Sequence, residues 1–208
     1  MSLTDIATPT VEQSHERRTI EYTLDDEEID VALSIADERH QSYKDGRTRD
    51  EDWCNSKEAM RKGTIAEMVC HVVYPEYEFD DSISASGDDG IDGDLRLDGD
   101  EMTVDVKARD LDPETFHAEV ELLVARHHID ERQNTPDAYV GAYVSDDYST
   151  VRLYGWVQTD RLLDEGRIEE ARDPGADHDN YVLDFSDLLE LPEHHNVDDE
   201  PNATVRYL

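Results

Sequence analysis

Acidic residues restrict what this chain can fold into more than any other feature. The sequence has 54 aspartates and glutamates against 19 lysines and arginines, and its formal net charge is −35. Such a charge strains a compact state by self-repulsion unless salt screens it, and near 1 M salt the Debye length falls to about 3 Å. Because the acids are spread along the whole length, we interpret them as a surface adapted to high salt.

High charge with low hydrophobicity is also typical of disordered chains, but periodic apolar segments argue against disorder here. Segment 25–43 places Ile29, Ala32 and Ala36 on one stripe of an amphipathic helix. A second helix is predicted over 57–74, where Pro75 ends it. Predicted strands cover 18–24, 94–97, 102–108, 117–129, 137–145 and 151–158, and a short helix covers 159–171.

This order of elements predicts a mixed α/β fold with a central mixed sheet flanked by helices. We expect a flexible leader at 1–18, one domain at 19–171, and an acidic C-terminal extension at 172–208 that packs partly on the domain. Cys54 and Cys70 form neither a disulfide framework nor a zinc-site pattern. No apolar run approaches the length of a membrane span. A soluble, cytoplasmic protein in a high-salt environment, with no membrane partner, is therefore expected.

The stretch "GIDGDLRLDGDEMTVDVKARD" at 90–110 predicts a β-hairpin that contains one of the chain's four lysines. A turn centred on Gly99 and Asp100 would place Asp94 directly opposite Asp105, and Asp92 opposite Lys107. Carboxylates opposed across two strands repel each other, so this register predicts a metal, a lysine or both between them. The D-x-K spacing alone has no weight, because about one such pair is expected by chance in so acidic a chain.

A carboxylate on the second predicted helix provides an independent signal. On a helical wheel Glu67 has Met60, Gly63 and Cys70 as neighbours, which places it at the edge of the apolar arc. A carboxylate that leans toward a core needs a cation or hydrogen-bond donors. The alternative is that Glu67 reaches out to water from the boundary.

Glu67 on a helix, followed by Asp94 and then Asp105-Val106-Lys107 on the paired strand, resembles the PD-(D/E)XK nuclease superfamily, whose fold is restriction-endonuclease-like. "KGTIAEMVCHVVY" is similar to its G-x-x-x-E helix, and "GDLRLDGDEMTVDVKA" is similar to its metal-binding hairpin. Segment 137–163 resembles its later strand pair and helix. The chain is most similar to small virus-type members, over roughly residues 55–165. It departs from the pattern at Gly93, where proline often precedes the first aspartate.

The resemblance implies a nuclease that depends on Mg²⁺ or Mn²⁺ and acts on nucleic acid, with DNA favoured over RNA. Many nucleases of this type work as dimers, so a homodimer is one state that the resemblance allows. It implies that Asp94, Asp105 and the Val106 carbonyl hold the metal, with Asp92 as the alternative first ligand. It further implies that Lys107 positions the attacking water or offsets charge in the transition state, and that Glu67 holds a metal-bound water or a second ion. The other function that stays open is a non-catalytic binding or assembly module with the same fold, in which the acids serve only salt tolerance.

Two histidine pairs are weaker candidates for a metal site. Neighbouring residues in a strand point to opposite faces, so neither His127-His128 nor His194-His195 chelates an ion easily, and surface positions are expected for both. Arg126 lies next to the first pair in the least acidic part of the chain, which either meets phosphate or balances local charge. No basic cluster of the kind expected in a DNA-binding domain is present in the sequence.

Overall fold

The architecture comes from a computed structural model, which describes residues 17–46, 57–77, 93–109, 120–130, 135–170, 179–193 and 201–207. The helices in these ranges are α1 Asp26–Gly46, α2 Lys57–Val73, α3 Arg126–Asp130 and α4 Thr159–Glu165. The strands are β1 Arg18–Thr23, β2 Gly93–Leu97, β3 Asp100–Arg109, β4 Glu121–Ala125, β5 Ala138–Val144, β6 Thr150–Gln158, β7 Arg167–Glu169, β8 Asn180–Asp184 and β9 Ala203–Tyr207. None of the helices in the described ranges has the length and apolar composition needed to cross a membrane.

A six-stranded mixed sheet forms the centre of the fold, in the order β2-β3-β5-β6-β1-β9. The β3–β5 pair is parallel, and every other neighbouring pair in this sheet is antiparallel. A second, antiparallel sheet has the order β4-β8-β7. The predicted mixed α/β class, with a central mixed sheet flanked by helices, is therefore confirmed.

Two cores lie on the two faces of the large sheet. Helices α1 and α2 cover one face, where Val69 of α2 and Val104 of β3 belong to the same buried cluster. The second sheet and α4 cover the other face, where Tyr139 of β5 packs in a cluster with Leu122 of β4 and Leu162 of α4. Because β5 lies between both cores, all seven of its residues are buried, which explains its unbroken apolar sequence.

The helix predicted over 159–171 is too long, and β7 occupies its second half. Helix α4 ends at Glu165, and the backbone N–H of Gly166 donates to the Leu162 carbonyl at 2.9 Å. A Cβ atom at Gly166 would lie 2.4 Å from that carbonyl oxygen, so the close approach requires glycine. The chain then turns into a short strand that pairs with β8.

Strands β8 and β9 lie in the segment predicted as a C-terminal extension, and each of them is part of a β-sheet. Strand β8 is the middle strand of the small sheet, and β9 pairs with β1 at the edge of the large one. Strand β1 begins at Arg18, while residues 1–16 of the predicted leader lie outside the described residues.

Ion pairs connect helix α1 with helix α2 at the surface. The carboxylate of Asp37 on α1 accepts hydrogen bonds from Arg61 at 2.9 and 3.1 Å and lies 2.8 Å from the Lys57 ammonium. These two cations lower the pKa of Asp37 from 3.8 to about 2. A carboxyl whose pKa is lowered by folding stabilises the fold above its unfolded pKa, and this contribution is lost as the pH falls through the folded pKa.

An Asp37→Asn variant is therefore expected to be less stable than the original chain at pH 5, with the difference shrinking between about pH 4 and pH 2. The measurement is chemical unfolding at a series of pH values. Asp30→Asn, an equal charge change at an exposed position of α1, serves as the control. A difference for Asp37→Asn that stays constant down to pH 2 would contradict the assignment.

Candidate active site

The hairpin of β2 and β3 has a different register from the one predicted. Its two-residue turn is Asp98-Gly99, where φ is 51° and 93°. Tight hairpins favour two successive residues with positive φ, which aspartate tolerates and glycine adopts freely. The pairs are therefore Leu97 with Asp100 and Asp94 with Thr103, and the predicted pairing of Asp94 with Asp105 is wrong.

A register shift of two residues leaves every side chain on its predicted face. Leu95 and Val104 are buried against the core under α2, as expected. Asp94 and Asp105 share the other face, at diagonal rather than opposed positions. Asp92, the alternative ligand, lies outside the described residues.

Asp105 and Lys107 form a closely bonded pair on β3. The Lys107 Nζ atom lies 2.6 Å from Oδ1 of Asp105 and 2.5 Å from Oδ2. Asp105 is buried, whereas the Lys107 side chain keeps 21% of its surface exposed. Because isolated charges are expensive to bury, the lysine provides the charge that allows Asp105 to sit inside the fold.

An aromatic ring completes the surroundings of this lysine. Tyr139 on β5 is paired with Asp105 in the parallel register, and its ring centroid lies 5.8 Å from Lys107 Nζ. A cation at that distance from a ring face is attracted by the ring's negative charge distribution. The contribution of Tyr139 depends on the β3–β5 register, so nothing in the local sequence could have identified it.

A second tyrosine, Tyr154, packs so closely on position 141 of β5 that only glycine fits there. Gly141 pairs with Lys107 across β3 and β5, and the Tyr154 ring from β6 lies over it. Tyr154 is fully buried, and its hydroxyl donates to the Glu121 carbonyl oxygen at 3.3 Å. Burial raises the pKa of Tyr154 well above its usual value, so this group stays protonated and holds its place.

Asp94 is exposed on the edge strand β2 and borders a cleft of about 340 Å³, together with Arg96 and Glu101. Its partner across the strands, Thr103, is held in turn by Asp137. The Thr103 N–H and hydroxyl donate to Asp137 Oδ2 at 3.0 and 2.9 Å. Asp94 is therefore the part of the predicted set that solvent and ligands reach most easily.

Glu67 lies on helix α2, which packs on the other face of the large sheet. Its carboxylate accepts a hydrogen bond from Arg39 of α1 at 2.8 Å. Helix α2 covers the face to which Val104 and Val106 point, so alternation along β3 directs Asp105 to the opposite face. Of the predicted set, the structure thus groups Asp105 and Lys107, with Asp94 nearby on the same face. No group of three or more histidines, cysteines or carboxylates in the described ranges is close enough to hold a metal.

The histidines lie elsewhere. His127 and His128 belong to the short helix α3 rather than to the predicted strand, and their rings make an edge contact with centroids 4.3 Å apart. The adjacent Arg126 bonds to Asp130 at 2.7 Å, which favours local charge balance. His194 and His195 lie outside the described residues.

Comparisons of the chain with protein-family models, with curated proteins and with solved structures found no match.

Proposed function

We propose that this chain is a metal-dependent nuclease of the PD-(D/E)XK type, with a restriction-endonuclease-like core, that hydrolyses phosphodiester bonds of nucleic acid, DNA in preference to RNA. The observation that carries the proposal is the Asp105–Lys107 pair. A chain with four lysines holds one of them 2.6 Å from a buried carboxylate, on the hairpin face that also presents Asp94. The motif order that resembles the superfamily supports the same assignment.

The oxygen donors on this face suit Mg²⁺ or Mn²⁺. Mg²⁺ is commonly bound by one or two carboxylates, with waters and substrate phosphates completing its shell. Diagonal positions in an antiparallel pair lie about 7–8 Å apart, within reach of two aspartates that share an ion. Asp94 and Asp105 would hold the metal with the Val106 carbonyl, and the metal would polarise the phosphate and activate a water.

Within the proposed centre, Lys107 is the cation that the protein itself supplies beside the metal. Asp105 and the Tyr139 ring fix its ammonium group in one position, while its partial exposure leaves it open to a phosphate. A preorganised cation stabilises charge that develops in a transition state, because it needs no reorganisation during the reaction. We assign to Lys107 the positioning of the attacking water or of the scissile phosphate.

In this proposal Glu67 stabilises the packing of two helices and takes no part in catalysis. Its bond to Arg39 connects α1 with α2, and both side chains are largely buried at 14% and 18% exposure. The proposed centre therefore consists of Asp94, Asp105 and Lys107, which is smaller than the set implied by the resemblance.

The net charge of −35 determines how such an enzyme would hold its substrate. In dilute salt the surface repels DNA, whereas high salt screens the repulsion and also weakens phosphate contacts by counterion release. Substrate binding would then depend on metal bridging and on the local shape of the site.

The test compares two aspartates of the same hairpin. Asp94→Asn is expected to slow metal-dependent cleavage of labelled single- and double-stranded DNA in molar KCl by roughly 100-fold, the usual scale for losing one group of a charged centre. Asp98→Asn makes the same charge change in the turn, where asparagine tolerates positive φ, and is expected to cleave at the original rate. Equal rates for both variants would refute the proposed centre.

A non-catalytic binding or assembly module is the second candidate. It is favoured by the pairing of Glu67, a carboxylate that the resemblance assigns to the metal site, with Arg39 of α1. Under this alternative the original chain cleaves no DNA with either metal, and calorimetry detects no divalent-ion site.

A further inference from the structure

Arg109, the last residue of β3, lies on the same face of the large sheet as Asp105 and Lys107. Alternation along the strand fixes this placement, because Val106 and Ala108 pack on the opposite face, against the core under α1 and α2. Two residues along a strand span about 6.5 Å, so the two cations begin from neighbouring positions of one face. Both side chains are partly exposed, 19% for Arg109 and 21% for Lys107.

No carboxylate of the described residues lies at hydrogen-bond distance from the Arg109 guanidinium. Its Nη1 atom is 3.7 Å from the Glu121 carboxylate and donates instead to the Glu121 carbonyl oxygen at 2.8 Å. The Glu121 carboxylate accepts a hydrogen bond from Arg167. By contrast, Arg39 is 18% exposed and donates directly to the Glu67 carboxylate at 2.8 Å. Because a buried charge needs a close counter-charge, Arg109 is a cation whose neutralisation is incomplete.

The carbonyl oxygen that holds Arg109 is shared with Tyr154. It accepts from the guanidinium at 2.8 Å and from the Tyr154 hydroxyl at 3.3 Å. The Tyr154 ring is buried and lies over Gly141, the partner of Lys107 in β5. The bond to the carbonyl uses a single N–H, and the guanidinium has several others that can donate to a ligand. Arg109 is therefore held in place with donors left for an anion.

We propose that Arg109 binds a backbone phosphate of the nucleic acid, next to the phosphate that the metal and Lys107 hold; this inference rests on the proposed function. The planar guanidinium presents its donors in a fork that matches the oxygens of a phosphate. The phosphate would supply the close negative charge that Glu121 does not. Salt screens a largely buried cation less than a surface one, so this contact suits a chain whose surface repels DNA.

The experiment titrates a fluorescent single-stranded oligonucleotide with the full chain in EDTA, over a series of KCl concentrations, and follows its anisotropy. Each phosphate contact on a single strand contributes about 0.7 to the steepness of log K against log[KCl]. Arg109→Gln is expected to weaken binding about tenfold, as for losing one hydrogen bond to a charged group, and to reduce that steepness by about 0.7. Arg109→Lys keeps the charge and is expected to keep the salt dependence.

Arg152→Gln is the matched control. Arg152 pairs with Tyr143, the residue that Arg109 also pairs with, and is 17% exposed, but its guanidinium donates to the Glu21 carboxylate. This variant is expected to bind the oligonucleotide as the original chain does. In cleavage assays with Mg²⁺, Arg109→Gln is expected to raise KM about tenfold with kcat little changed, because the contact is made before and during the reaction alike.

A salt dependence that Arg109→Gln leaves unchanged would overturn the inference. So would an equal change in Arg152→Gln, which would reflect net charge alone, or in Arg109→Lys, which would assign Arg109 to packing. An original chain that binds no oligonucleotide in EDTA would overturn it as well, since this contact needs no metal. Circular dichroism separates loss of binding from loss of fold. The nuclease proposal fails separately: a chain that cleaves nothing, but whose salt dependence falls in Arg109→Gln, keeps the phosphate contact.

Discussion

Replacing Lys107 with methionine is expected to lower the free energy of unfolding by about 3 kcal/mol, the low end of the range for breaking a buried ion pair. The substitution leaves the buried Asp105 carboxyl without the ammonium that now lies 2.5 Å from it. The low end applies because the Lys107 side chain is partly exposed, so water offsets some of the lost attraction. Methionine keeps most of the unbranched apolar stem of lysine, so the variant removes the charge with little loss of packing.

The measurement is denaturant unfolding of the Lys107→Met variant beside Lys57→Met. Lys57 makes an ion pair of similar length with Asp37, but at the surface, so its loss is expected to change stability far less than the loss of Lys107 does. The double variant Asp105→Asn with Lys107→Met is expected to recover most of the loss, because no buried charge remains. A Lys107→Met variant as stable as Lys57→Met would show that Asp105 is not buried as a charged group.

This effect on stability is also the reason for testing catalysis at Asp94 first. A Lys107 variant that loses cleavage activity has lost either a catalytic cation or its local fold. Asp94 is exposed on the edge strand, so its variant changes the proposed centre with little change in packing.

Gly141→Ala is the second large effect, with an expected loss of about 3 kcal/mol from overpacking a core. The new Cβ atom would lie 2.3 Å from Cε2 and 2.5 Å from Cζ of Tyr154. The tyrosine cannot move away easily, because its ring is buried and its hydroxyl bonds to the Glu121 carbonyl. The clash would also disturb Lys107, whose partner in β5 is Gly141.

Gly63→Ala is the matched control. A Cβ atom at Gly63 would have its nearest neighbour at 3.8 Å, an ordinary contact, and alanine in a helix is favoured over glycine by about 1 kcal/mol. The same substitution is therefore expected to stabilise α2 and to destabilise β5. In a Tyr154→Ala background the cost of Gly141→Ala should fall sharply; an unchanged cost would contradict the clash.

The sequence could predict the helices, the central strands and the faces of the hairpin, because these follow from periodicity and local turn chemistry. The hairpin register was predictable in principle. Asp98-Gly99 is a strong signal for a two-residue turn, and a turn centred on Gly99-Asp100 instead shifts every pair by two residues. The end of α4 at Gly166 and the short strands β7 and β8 were harder, because such brief segments gain their order from tertiary pairing.

The sequence by itself determined the charge of the surface, the apolar core strands and the placing of Asp105 and Lys107 on one face of β3. Those features depend on composition and on the alternation of side chains along a strand. Only the tertiary structure decided that Tyr139 would lie beside Lys107 and that Glu67 would bind Arg39 on the opposite side of the sheet. Such contacts depend on which strands pair and on which face each helix covers, and residues distant in sequence settle both through the burial of a shared core.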